Sequence, residues 1–171
     1  SARINDVLSS GIVTNGKYVK EFESTVADYL GSEFAIAVSS GTAALMLPLK
    51  CLELSGEVII PSFSWCATAH ALLLNNLTPV FADINQNDFQ INVKEVESLI
   101  TDKTSAILAV NIAGSVCNIK HLEDLAGKYN LSLVFDNAHS IGTHLDNKGI
   151  GFYGDASCYS FSATKTMSTG E

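Results

Sequence analysis

Basic residues are scarce in this chain: ten Lys and Arg stand against eighteen Asp and Glu, a formal charge of −8. A surface of that sign repels a phosphate backbone, so nucleic acid is not expected as a partner. Long apolar runs are missing too. The longest stretches, such as residues 105–110, fall far short of the roughly 20 residues a membrane helix needs, and no charged-then-apolar leader opens the chain. A cytoplasmic protein without membrane contact is expected. Three prolines and twelve glycines are too few for a collagen-like or linker-like chain. The four cysteines, Cys51, Cys66, Cys117 and Cys158, form no C-x-x-C pair and have apolar neighbours, so they read as free core thiols of a reducing compartment. What remains is 171 residues, 47% hydrophobic and 16% charged, enough for one domain that buries about 70% of its unfolded surface.

Periodicity divides the chain into alternating elements. Val19, Phe22, Val26, Tyr29 and Leu30 share one face of an opening helix, with Thr14 and Asn15 as candidate caps and Gly31 as its stop. Residues 34–38 form a short apolar run that predicts a strand, and Ser39-Ser-Gly-Thr42 turns it into a helix through Leu54. Pro48 lies inside that helix, where a missing N–H costs about 3 kcal/mol unless something compensates. Strands are then predicted at 57–60, 78–82, 105–110, 131–135 and 156–161, with helices at 66–75, 93–100 and 119–129 between them. Nearly continuous apolar strands alternating with helices predict an α/β fold of three layers, a mostly parallel sheet covered on both faces.

In such sheets ligands bind beyond the carboxyl ends of the strands. Ser39-Ser-Gly-Thr42 is either an ordinary N-cap turn or a phosphate cradle of backbone N–H groups and hydroxyls. Asp136 ends a buried strand with no cation adjacent in sequence; it is either a turn cap or a carboxylate awaiting a partner. A metal at Asp136, His139 and His144 matches no ligand spacing, so none is expected, and His70 and His121 read as packing or surface residues. Gly149-Ile-Gly-Phe-Tyr-Gly154 spells G-x-G-x-x-G, but it follows a polar loop and precedes a strand, the reverse of the dinucleotide-binding context, which argues against a nucleotide-dependent oxidoreductase. Lys165 follows the last strand as either a solvated loop residue or a Schiff-base lysine. An amine, a strand-end carboxylate and an anion pocket together are the set that pyridoxal phosphate requires.

The residues resemble the DegT/StrS sugar aminotransferases, which belong to the fold-type I pyridoxal phosphate enzymes. The likeness runs through Gly16-Lys-Tyr-Val-Lys-Glu-Phe-Glu23, Ser40-Gly-Thr-Ala-Ala-Leu45, Pro61-Ser-Phe-Ser-Trp65 with Ala67-Thr68, and Pro79-Val-Phe-Ala-Asp83. It continues through Asp136-Asn-Ala-His-Ser-Ile-Gly142, Gly154-Asp155, Ser160-Phe161, Lys165 and Gly170-Glu171. The resemblance implies pyridoxal 5'-phosphate as cofactor, carried by Lys165, which also shuttles a proton. Asp136 pairs with the ring nitrogen, Trp65 stacks on the ring, and His139 stands near the ring oxygen. Gly41, Thr42, the Ala43 backbone and Ser160 hold the phosphate.

The reaction implied is amino transfer, usually from glutamate, to a keto group of a nucleotide-linked deoxysugar, for polysaccharide or related amino-sugar biosynthesis. A homodimer is implied, and Lys165 argues against the dehydratase subset that carries histidine there. Asn111-Ile-Ala-Gly114 and Ser162 depart from the commoner pattern, which bears on sugar or donor specificity, and Leu54-Ser-Gly-Glu-Val58 is one residue short of the usual turn. The chain starts at Ser1 rather than Met and stops at Glu171, so both ends read as cuts. Residues 1–171 are expected to be the N-terminal part of the large cofactor-binding domain, without the small C-terminal domain. In that fold the strand beyond Glu171 lies between 34–38 and the last strand here, which leaves 34–38 without a lateral neighbour unless another chain supplies one. The alternative reading is an inactive scaffold or interaction domain of the same fold.

Overall fold

The computed structural model describes residues 2–169. Gly170-Glu171, the last piece of the motif set, lies outside the described residues, as does Ser1. Helices α1 (Ala2–Ser10), α2 (Lys17–Leu30) and α3 (Gly41–Cys51) come first. The chain then alternates through β1 (Glu57–Pro61), α4 (Cys66–Leu74), β2 (Thr78–Ala82), α5 (Val93–Leu99), β3 (Thr104–Val110), α6 (Ile119–Tyr129) and β4 (Ser132–Asp136). A two-residue hairpin, β5 (His144–Leu145) and β6 (Lys148–Gly149), leads to β7 (Ala156–Cys158). Five strands pair side by side in the order β2-β1-β3-β4-β7, every pair parallel.

Strand parity explains the three layers. Ile59, Ile107, Ala109, Leu133 and Phe135 point to one face and pack with Val96 of α5 and Leu122 and Leu125 of α6. Their neighbours Val58, Ile60, Ala106, Leu108, Val110 and Val134 point to the other, against Leu45 and Leu49 of α3 and Ala71 and Leu72 of α4. Both faces being buried, the strands read as continuous apolar runs rather than alternating ones. The same parity sends the next even position, Asp136, toward the α3/α4 side.

Pro48 sits inside α3 without ending it. Its ring removes the N–H that would reach the Ala44 carbonyl one turn back. The buried thiol of Cys158, at the end of β7, donates to that carbonyl at 3.1 Å. The freed acceptor therefore has a partner from another element, and α3 is tied to the sheet at the same point. Burial pushes the Cys158 thiol up to about 12, which keeps its proton available for the bond.

Several expectations need correction. Residues 34–38 are not a strand: no ladder forms there among the described residues, and Phe34 and Ile36 are 75% and 70% exposed. An apolar run predicts burial against something, and no described strand lies beside this one. The Ala37 N–H goes instead to Glu23 Oε1 at 2.8 Å. The last strand stops at Cys158 rather than 161, and α3 stops at Cys51. Helix α1 was not anticipated. The N-cap of α2 is Gly16, not Thr14 or Asn15, while Gly31 does close it at φ 68°. Of the four thiols only Cys117 and Cys158 are buried; Cys51 and Cys66 are exposed.

The G-x-G-x-x-G stretch lies on the hairpin and a 3-10 turn ahead of β7. Its glycines serve packing. A Cβ on Gly149 would stand 2.5 Å from the Leu30 carbonyl oxygen, and one on Gly154 would stand 2.7 Å from that of Leu133.

Candidate functional site

The carboxyl ends of β3, β4 and β7 form a rim in which buried polar side chains satisfy one another. Asn111, just after β3, donates from Nδ2 to Asn137 Oδ1 at 2.7 Å, and its Oδ1 accepts the Cys117 N–H at 2.8 Å. Its carbonyl accepts the Ser140 hydroxyl. Asn137 spends its own amide on Ser157 Oγ at 3.1 Å and the Tyr159 hydroxyl at 3.3 Å. Backbone bonds from Asn111 N–H to the Asp136 carbonyl and from Asn137 N–H to the Cys158 carbonyl complete the closure. Such networks are costly when incomplete and rigid when complete.

Asp136 sits on this rim, 5% exposed. Its Oδ1 accepts the Ala138 N–H at 3.1 Å and its Oδ2 the Thr68 hydroxyl at 2.9 Å. Thr68 comes from α4, the face that strand parity assigns to Asp136, and pairs in turn with Ser64 Oγ at 2.7 Å. Burial pushes the Asp136 carboxyl above its usual range, while the Ala138 and Thr68 hydrogen bonds and the charges of His139 and Lys165 act the other way. A desolvated carboxylate with two donors on it and the Lys165 ammonium bearing on it is arranged to meet a cation.

Gly41, Thr42 and Ala43 open α3, and Ser160 faces them across the sheet edge. A Cβ on Gly41 would meet Ser160 Cβ at 3.0 Å and Oγ at 3.2 Å, so a larger residue would push that serine back by a few tenths of an ångström. The first turn of a helix leaves N–H groups without intrahelical partners. Ala43's goes to the capping Ser40 Oγ at 3.2 Å, so an anion at this place would share that donor. Trp65 is the N-cap residue of α4, three residues before Thr68, and is 73% exposed. A large aromatic left open three residues from the threonine that holds the buried carboxylate offers a stacking face. His139 is exposed, and Lys165 lies half-buried in a turn where its N–H bonds the Ser162 carbonyl at 3.0 Å.

The anion cradle at Gly41 and Ser160, the strand-end carboxylate, the open indole and the nearby amine fit pyridoxal phosphate. Among the described residues no group of three His, Cys, Asp or Glu side chains converges as metal ligands do. Sequence reasoning assigned no role to Thr68, Ser64, Asn137 or Tyr159, and gave Asn111 only a bearing on sugar or donor specificity. Thr68 stood within the matched motif, and its distance of four residues from Ser64 was the available signal. Nothing local marks Asn111 and Asn137 as partners, since they are 26 residues apart.

Residues 1–171 match the model of the DegT/DnrJ/EryC1/StrS aminotransferase family. The GDP-perosamine synthase of Vibrio cholerae is 39% identical over 171 residues, covering 98% of this chain and 47% of that protein. The dTDP-4-amino-4,6-dideoxy-D-glucose transaminase of Shigella dysenteriae is 39% identical over 157 residues, covering 92% and 43%. Among solved structures, DesI in the presence of its TDP-sugar product superposes with a TM-score of 0.92 at 39% identity, over 96% of this chain and 42% of that one. The PLP-form of Spr1654 from Streptococcus pneumoniae gives a TM-score of 0.94 at 30% identity, over 99% and 48%. The chain thus spans somewhat under half the length of these relatives. The matched motifs, the parallel sheet and the family match over the full length agree: this chain belongs to the DegT/DnrJ/EryC1/StrS aminotransferase family.

Proposed function

We propose that this chain is the cofactor-binding part of a pyridoxal 5'-phosphate-dependent aminotransferase. It passes an amino group from an amino acid, glutamate, to a keto group of a nucleotide-linked deoxysugar in polysaccharide or related amino-sugar biosynthesis. The observation that carries this reading is Asp136: a buried carboxylate held by two donors, on the rim that also bears Ser160, Lys165 and the start of α3. Relatives named as a GDP-perosamine synthase and a dTDP-sugar transaminase supply the substrate class. Residues 1–171 are read as the N-terminal part of the large domain.

When bound, pyridoxal phosphate supplies the electron sink that lets a proton leave the carbon bearing the amine. The chain's own groups do the rest. Asp136 would hold a proton on the ring nitrogen by its negative charge. Gly41, Thr42 and Ser160, with the Ala43 N–H shared, would bind the phosphate at a helix start, where backbone dipoles favour an anion. Trp65 would offer a stacking face to the ring, and His139 would be the side chain for the ring oxygen. Lys165 Nζ is the amine that would hold the cofactor and would serve as the group that accepts and returns a proton. The exposed thiols Cys51 and Cys66 suit a reducing cytoplasm. The exposed apolar side chains of 34–38 and α1 suit pairing of two copies.

Titration with pyridoxal phosphate, borohydride reduction and peptide mapping test the reading. A visible Schiff-base band trapped on Lys165, and lost in Lys165→Ala, is expected; glutamate should then convert the unreduced band. No band, or an adduct spread over several lysines and unchanged in Lys165→Ala, would overturn it.

A further inference from the structure

We propose that Ser64 and Thr68 form a reversible hydroxyl relay that keeps Asp136 in one position whether its carboxyl is protonated or ionised, which makes Thr68 a positioning residue. The proposal rests on the cofactor reading above for its purpose but not for its geometry. A hydroxyl has one proton to give and can accept as well. Toward an ionised Asp136, Thr68 must donate, at 2.9 Å, and its remaining contact, with Ser64 at 2.7 Å, must then run from Ser64 to Thr68. Toward a protonated Asp136 the whole order reverses: Oδ2 donates to Thr68 and Thr68 donates to Ser64. The Ala138 N–H cannot reverse, so Oδ1 remains the acceptor at 3.1 Å and any proton on the carboxyl belongs on Oδ2, facing the relay.

Both states therefore leave every buried atom of the carboxyl partnered without moving a heavy atom. A fully buried Thr68 next to a half-buried Ser64 also gives the proton an ordered way toward the edge of the site. That matters because an aspartate that must meet a cationic ring has to exist without one between encounters. Charges facing Asp136 from the neighbouring elements are His139 after β4 and Lys165 after β7; the other titratable group close by is the buried Cys158 thiol.

The test begins without cofactor. The protein labelled with 13C-aspartate is titrated by NMR, the Asp136 signal being assigned by its loss in Asp136→Asn. In Thr68→Val, which keeps shape and removes the hydroxyl, the Asp136 titration should move to higher pH, because the bond lost by the anion is charge-assisted and stronger than the one lost by the protonated form. Thr68→Ser should restore it, and Ser64→Ala should move it part of the way. The pyridoxal phosphate dissociation constant should weaken about tenfold in Thr68→Val and recover in Thr68→Ser. An unmoved titration in both Thr68→Val and Ser64→Ala, on folded proteins by circular dichroism, would overturn the relay. Ser64→Ala, at a half-buried position, keeps the test decisive if Thr68→Val fails to fold. A shifted titration in a protein that never binds the cofactor would uphold the relay and sink the cofactor reading instead.

Discussion

The rim at the ends of β3, β4 and β7 and the segment 34–38 are both stretches where the chain leaves regular structure, yet they are held in opposite ways. On the rim, Asn111, Asp136, Asn137 and Ser140 are polar and buried, and each has named partners on another element. In the segment, Phe34, Ile36 and Val38 are apolar and exposed, and its recorded ties are the Glu23 bond to the Ala37 N–H and the Ser32 hydroxyl on the Phe34 carbonyl. Composition alone would have placed the two the other way round. Buried polar groups are tolerable only when closed into a network, and once closed they fix positions to a fraction of an ångström. Exposed apolar groups fix nothing until something covers them.

The comparison breaks most visibly at Asp136. Asp136→Asn should lower amino transfer by roughly 100-fold or more, since a neutral amide cannot hold a proton on the ring nitrogen by charge. Its effect on stability has the opposite sign. Burial raises the native carboxyl above its unfolded value, so its full contribution is present below about pH 4 and is lost as pH rises through the native value. The cofactor-free protein should therefore lose stability across that window, while Asp136→Asn should not. At neutral pH the variant should melt roughly 2–4 °C higher for each 1 kcal/mol of charge burial relieved. Thermal melts at several pH values, with and without pyridoxal phosphate, check this. A variant that is less stable at every pH would place Asp136 among ordinary structural residues.

A smaller break falls at Cys158, where the rim meets α3. Cys158→Val puts a somewhat larger apolar side chain there and leaves the Ala44 carbonyl, already deprived of a partner by Pro48, without a donor. A loss of about 1–3 kcal/mol is expected, with Cys158→Ser retaining most of the stability through its hydroxyl. Denaturant midpoints read the difference. Equal midpoints for Val and Ser would mean that packing, not the donated proton, is what Cys158 supplies.

The layers of the fold were legible in sequence because their signal is local. Runs such as 58–60 and 106–110 are apolar at every position, as both faces of their strands require, and the helices between them show the longer period. The matched motifs likewise carried Asp136, Lys165 and the start of α3. What escaped is relational. The Asn111–Asn137 pair and the Thr68–Asp136 bond join residues 26 and 68 positions apart, and only the register of the sheet brings them together. The compensation for Pro48 lies 114 residues from the carbonyl it serves. The strand expected at 34–38 failed for a related reason. An apolar run states that a segment needs cover, but not whether the described chain provides it.

The least stability change is expected where the apolar surface is greatest. Phe34 and Ile36 touch little in a single copy, so the double variant Phe34→Ser, Ile36→Ser should leave the melting point of the dilute protein within about 0.5 kcal/mol of the parent. If two copies cover each other there, the same variant should weaken self-association, and the parent should show a melting point that rises with protein concentration while the variant does not. Sedimentation velocity across micromolar concentrations measures the first and thermal melts over the same range the second. A parent that sediments as a monomer at every concentration would mean that these side chains await a different partner. A variant that loses stability in dilute solution would mean instead that 34–38 is already packed, and the contrast with the rim would reduce to one of degree.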